Sequence, residues 1–118
     1  MTLSTREFPI EIVRGDSDVH QIVVKNTDET IKDITGAAVR YTIREFAYDG
    51  MQVYQKTVGD GIILTDAING VLQRTLTYAE VAALNPGIRY VYDCELTIGA
   101  ERKTVQTGQI TVIGDVSV

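Results

Sequence analysis

Leu84-Asn85-Pro86-Gly87-Ile88-Arg89-Tyr90-Val91-Tyr92-Asp93-Cys94-Glu95-Leu96-Thr97-Ile98 is the stretch whose reading decides the fold. Ile88, Tyr90, Tyr92, Cys94, Leu96 and Ile98 fall on one side of a period-two pattern, and Arg89, Asp93, Glu95 and Thr97 share the other side with one apolar residue, Val91. Alternation of that kind belongs to a strand with one face in a core and one in water. Cys94, the only cysteine, lies on the apolar side among tyrosines. It cannot close an intrachain disulfide and reads as a small buried hydrophobe.

Toward the N-terminus, Thr77-Tyr78-Ala79-Glu80 has capping-box spacing, and the helix formers behind it predict one short helical turn near 78–84, stopped by Asn85-Pro86-Gly87. In Val71–Leu76, Leu72, Arg74 and Leu76 share a side, and the preceding Asn69-Gly70 signals a hairpin back to Ile62-Ile63-Leu64. Val39, Tyr41 and Ile43 alternate with Arg40, Thr42 and Arg44 in another strand, whereas 51–57 is too irregular to assign a buried face. The segment 19–25 reads as a strand with Ile22 and Val24 on one face and Val23 on the other, and His20 is expected on a wet face. Arg14-Gly15-Asp16-Ser17 reads as a turn before it. Pro9, among Phe8, Ile10 and Ile12, marks an edge strand. Beyond Gly99-Ala100-Glu101, a last strand runs over 102–113, with a bulge expected at Gly108.

These elements amount to roughly seven or eight short strands at steady spacing, the pattern of an all-β, antiparallel two-sheet β-sandwich. With 118 residues, 44% of them hydrophobic, and no linker or repeat, residues 1–118 read as a single domain.

Sixteen acids against eleven basic residues leave a net charge of −5, which opposes a phosphate backbone, so nucleic acid is not expected as a partner. No stretch approaches the apolar length of a membrane span, and the start carries no leader-like apolar run, so synthesis in a cytoplasm and no membrane partner are expected. The single histidine and the serines lack the setting of an activated nucleophile. The acids next to glycine or in turns, Asp49, Asp60, Asp66 and Asp115, read as turn formers without the dense spacing of a calcium loop. No catalytic residue, metal ligand or cofactor is therefore expected, and the chain reads as non-enzymatic. Phe46, Tyr48, Met51 and Tyr54 place large apolar groups in and just after a turn, and they are the candidate partner contact.

From Leu84 through Asp93 the chain resembles the small phage structural domains related to the N-terminal domain of siphophage baseplate upper proteins. The likeness extends through the Gly15-Asp16 turn, Ile34-Thr35-Gly36-Ala37, the glycine-flanked hairpin from Ile62 to Gly70 with Leu76-Thr77, Gly108-Gln109-Ile110-Thr111-Val112, and Asp115-Val116. Pro86-Gly87 followed by tyrosine is also similar to the tyrosine corner of immunoglobulin-like sandwiches, with Tyr90 or Tyr92 in the bonding role. The resemblance implies a virion structural protein of baseplate, tail or head surface. Its partners would be other virion proteins, in a homo-oligomer or symmetric assembly. Because the chain ends at Val118 without a downstream stalk, a free-standing unit is expected. The alternative is a binding module for a host-surface glycan or protein, using Tyr48, Tyr54 or Tyr78.

Overall fold

Strand β8 (Tyr90–Ile98) lies inside the sheet, with β4 (Ala38–Glu45) antiparallel on one side and β9 (Glu101–Ile113) antiparallel on the other. The computed structural model describes residues 6–47 and 50–114. Tyr90, Tyr92, Cys94 and Leu96 are buried, as the alternation requires, and Val91 is also buried on the opposite face. β1 (Arg6–Glu7) and β2 (Ile10–Val13) lie outside β9, separated by Phe8-Pro9, and form one edge. Both pair with β9 in parallel, from Arg6 opposite Gln106 to Val13 opposite Ile113.

On the far side of β4 comes β5 (Gln52–Val58). Two residue pairs, Thr57 with Gly61 and Val58 with Ile62, link it in parallel to β6 (Gly61–Asp66). β7 (Val71–Leu76) and then β3 (Asp18–Val23) complete the path, each antiparallel to its neighbour. The chain is all-β, one curled mixed sheet, with the short helix α1 (Tyr78–Ala82) and a 3-10 turn at Ala67–Asn69. The expectation of purely antiparallel pairing is corrected by β1 and β2, whose route to β9 runs through the whole chain rather than a hairpin. The curl brings β3 against β8, although four strands separate them in the pairing order. The His20 ring is 5.5 Å from the Tyr92 ring and stacks at 5.6 Å on Phe8. Ile12, Ile22, Tyr41, Ile62, Leu72 and Ile110 belong to the core enclosed by that curl.

Local chemistry accounts for the elements. Thr77 and Glu80 form the reciprocal capping box of α1, and Val81 behind them is fully buried. The Asn69-Gly70 connection is a 3-10 turn ending in Gly70 at φ 74°, rather than a two-residue hairpin loop. A Cβ at Gly70 would lie 2.6 Å from the Lys32 carbonyl and 2.7 Å from that of Val24, so the position needs glycine twice over. The bulge expected at Gly108 sits at Val105, where the register slips between Cys94 and Glu95 and two consecutive residues, Val105 and Gln106, are buried. Gly108 serves close approach instead: a Cβ there would meet the Phe8 carbonyl at 2.2 Å. The weak pattern over 51–57 also has a cause. The register of β4 on β5 shifts between Ile43 and Arg44, leaving Val53 as the extra residue.

Candidate functional site

Three regions could carry function, and the tip of the β4–β5 hairpin is the one singled out by sequence. Phe46 and Met51 stand there, 56% and 72% exposed. Phe46 is at φ 66°, a left-handed conformation unusual for a bulky residue. Its N–H donates to the Arg89 carbonyl at 2.7 Å, and Arg89 Nη2 donates back to the Phe46 carbonyl at 3.2 Å, pinning the tip to the turn before β8. Tyr54 faces elsewhere: its hydroxyl donates to the Glu80 carbonyl of α1 at 2.8 Å, and Lys56, paired with Glu80, lies 5.6 Å from its ring. Burial raises the Tyr54 phenol above its ordinary range. The structure thus leaves Phe46 and Met51 exposed at the hairpin tip but engages Tyr54 with the helix. Tyr48, Asp49 and Asp115 lie outside the described residues. Tyr78, at the start of α1, is 69% exposed.

At the turn before β8, Asn85 Oδ1 accepts from the Gly87 N–H at 2.8 Å across Pro86, and the Ile88 N–H donates to the Asn85 carbonyl at 3.0 Å. The Tyr90 hydroxyl accepts from the Asn85 N–H at 2.8 Å, so its bond closes the turn immediately upstream. The Tyr92 hydroxyl donates to the Phe8 carbonyl at 2.6 Å and lies 2.9 Å from Gln106 Oε1, tying β8 to the chain between β1 and β2.

The second region is a polar cluster inside the curl. His20 is 7% exposed, which corrects its expected place on a wet face. Its ring shares the inward side of β3 with Ile22, while Arg74 arrives beside it from the inward side of β7 and is fully buried. Arg74 Nη1 donates to Asp18 Oδ2 at 2.7 Å, and Nη2 donates to the Tyr41 hydroxyl at 3.3 Å. That hydroxyl also lies 3.3 Å from His20 Nδ1. Burial, reinforced by the Arg74 charge, pulls the His20 pKa down to about 4 against the opposing pull of Asp18, so the imidazole is neutral at neutral pH. The spacing 20, 22, 24 already carried this placement, because Ile22 and Val24 define the buried parity. On β8, burial pushes the Cys94 thiol up to about 12 and keeps it from acting as a thiolate near neutral pH.

The third region comprises the two outer surfaces. On β4 and β8, Arg40 Nη2 meets Glu95 Oε1 at 2.6 Å and Arg44 Nη1 lies 3.6 Å from Asp93 Oδ1. Burial pushes the Asp93 carboxyl above its ordinary range, with Arg44 pulling the other way. An open groove of about 440 Å³ runs past Val39, Arg40, Val58, Glu95 and Arg102. The outer face of β3, β7 and β6 differs: Val19, Gln21 and Val23 lie beside Thr75, Gln73 and Val71, with Ile63 beyond. No charged side chain stands in the β3–β7 part of that row, whereas on β6 the exposed Asp66 lies opposite Val71; Val19 and Ile63 are more than half exposed. Among the described residues no group of three or more His, Cys, Asp or Glu side chains is placed to hold a metal ion, and no helix is long and apolar enough to cross a membrane.

No family model matches the chain, and no curated protein matches it. Among solved structures, a nucleoside hydrolase-related hypothetical protein from Saccharophagus degradans, associated with carbohydrate metabolism, matches over 89% of this chain. The match covers 22% of that protein at 11% identity and a TM-score of 0.28, a likeness too slight to carry an argument about fold or activity.

Proposed function

We propose that this chain is a non-enzymatic structural protein of a phage or prophage virion, an immunoglobulin-like β-sandwich acting through protein–protein assembly. The single observation that carries the assembly reading is the uncharged outer face of β3 and β7. It is a run of β-branched and amide side chains on a protein whose charge is −5. Surfaces of that composition gain by being covered, and depletion of charge is what marks the centre of protein interfaces. The resemblance around Leu84–Asp93 supplies the virion context. The sandwich reading is supported by the packing of His20 on β3 against Tyr92 on β8, which treats β6, β7 and β3 as one layer over the other.

Quantitative mass spectrometry of gradient-purified particles, with the unfractionated lysate alongside, tests the proposal. A fixed ratio to the major capsid or tail protein is the expected result and gives the copy number. Abundance in the lysate with absence from particles would overturn the virion role.

A further inference from the structure

We infer that β3 is a self-pairing edge. Two copies of this chain join antiparallel through β3 about a two-fold axis at Gln21, fusing β6-β7-β3 of each into one six-stranded layer. The inference rests on the assembly reading and names its first contact.

The backbone supplies the donors and acceptors. β3 pairs with β7 on one side and with no other strand among the described residues. The Val24 N–H donates to the Gly70 carbonyl at 2.8 Å, and the β3–β7 register is unbroken from Asp18 opposite Leu76 to Val23 opposite Val71. Successive residues of a strand aim their N–H and C=O groups to opposite sides. Val24, Ile22 and His20 therefore address β7, and Val19, Gln21 and Val23 present theirs at the open edge.

The side chains supply the symmetry. The outward residues of β3 are Val19, Gln21 and Val23, which read the same in both directions. Antiparallel pairing centred on Gln21 puts Gln21 opposite Gln21 and each Val19 opposite Val23 of the other copy. All three pairs are of the type that exchanges two hydrogen bonds. Gln73 already stands beside Gln21 on β7, so the amides line up as a ladder across the axis. The charges agree with a second copy as the occupant. Lys25 of each copy comes opposite Ser17 of the other, between Asp16 and Asp18, while the remaining contact is neutral. The opposite edge lacks this character: β1, β2 and the step between them carry Glu7, Glu11 and Pro9, the residues that block edge-to-edge pairing.

Sedimentation equilibrium of the full chain tests the pairing. The expected mass is twice 13.0 kDa. Gln21→Lys, which sets two like charges on the axis, is expected to return the chain to 13.0 kDa with an unchanged far-UV circular dichroism spectrum. Independently, Gln21→Cys should form a disulfide-linked dimer on mild oxidation, since directly opposite Cα atoms about 5.5 Å apart suit a disulfide. Buried Cys94 leaves the parent chain uncrosslinked as a control. If Gln21→Lys unfolds, the crosslink decides. A monomeric parent whose Gln21→Cys variant does not crosslink overturns the inference, as does a dimer unmoved by Gln21→Lys in a folded chain. A monomer still found in particles would overturn the pairing alone, and a β3 dimer absent from particles would overturn the virion role alone.

Discussion

Arg74 and Arg40 hold carboxylates at nearly the same distance, 2.7 Å to Asp18 and 2.6 Å to Glu95, yet the Arg74 side chain is fully buried and that of Arg40 is 48% exposed. Distance alone would rate the two pairs equal. Their surroundings separate them: water and salt screen the outer pair and stand in for either partner, while inside the curl nothing replaces a lost one. The inner cluster therefore holds β3, β4 and β7 in one arrangement inside the curl, and the outer charges chiefly keep that face hydrated.

The largest test of this contrast is Arg74→Ala, which abandons Asp18 and the Tyr41 hydroxyl inside the curl. It should cost about 3–5 kcal/mol in urea unfolding, and a loss under about 1 kcal/mol would erase the distinction between the pairs. Acid comes next. The His20 pKa is about 4 in the fold against an ordinary value of 6.5. Between these values the unfolded chain takes up a proton that the folded chain refuses. The contribution is whole above pH 6.5 and is lost as pH falls to about 4, on the order of 3 kcal/mol in all. Urea midpoints across that window should fall for the parent chain and stay flatter for His20→Gln; equal slopes would mean that His20 is not the proton acceptor.

Smaller effects are expected where one hydroxyl is removed. Tyr92→Phe orphans the Phe8 carbonyl and should cost about 1–3 kcal/mol, whereas Tyr90→Phe frees only the Asn85 N–H at the turn and should cost about 1 kcal/mol. An unchanged denaturation midpoint for Tyr90→Phe would remove it from the set of structural bonds. The smallest is Arg40→Gln on the outer face, at most about 1 kcal/mol and shrinking further in added salt. If Arg40→Gln matched Arg74→Ala, the contrast would be broken from the other side.

Alternation made β8, β4 and β7 legible, and the Thr77–Glu80 spacing made α1 legible, because each is written within a dozen neighbouring residues. What escaped was non-local. Nothing near Phe8 says that its carbonyl will crowd Gly108, and nothing near Phe46 says that Arg89 will hold it. The inner cluster was half visible: Arg74 fell on the same side as Leu72 and Leu76, and His20 shares parity with Ile22. Only the register of β3 on β7, with His20 opposite Arg74, joins those halves. The candidate contact was read from size and hydrophobicity, a rule that groups Tyr54 with Phe46 although a hydrogen bond to Glu80 turns it toward α1.

The parallel seating of β1 and β2 on β9 also sets a timetable for the newborn chain. Arg6 pairs with Gln106 and Val13 with Ile113, so β1 and β2 find their seats only when β9 has followed them from the ribosome. At translation rates of about 5–20 residues per second, the hundred intervening residues impose a wait of roughly 5–20 s. Throughout it Phe8, Ile10 and Ile12 have no sheet to join, while β3 already carries its open edge. Polysomes crowd such nascent segments together, so Glu7, Pro9 and Glu11 have their greatest use before the molecule is finished, as guards for a strand kept waiting.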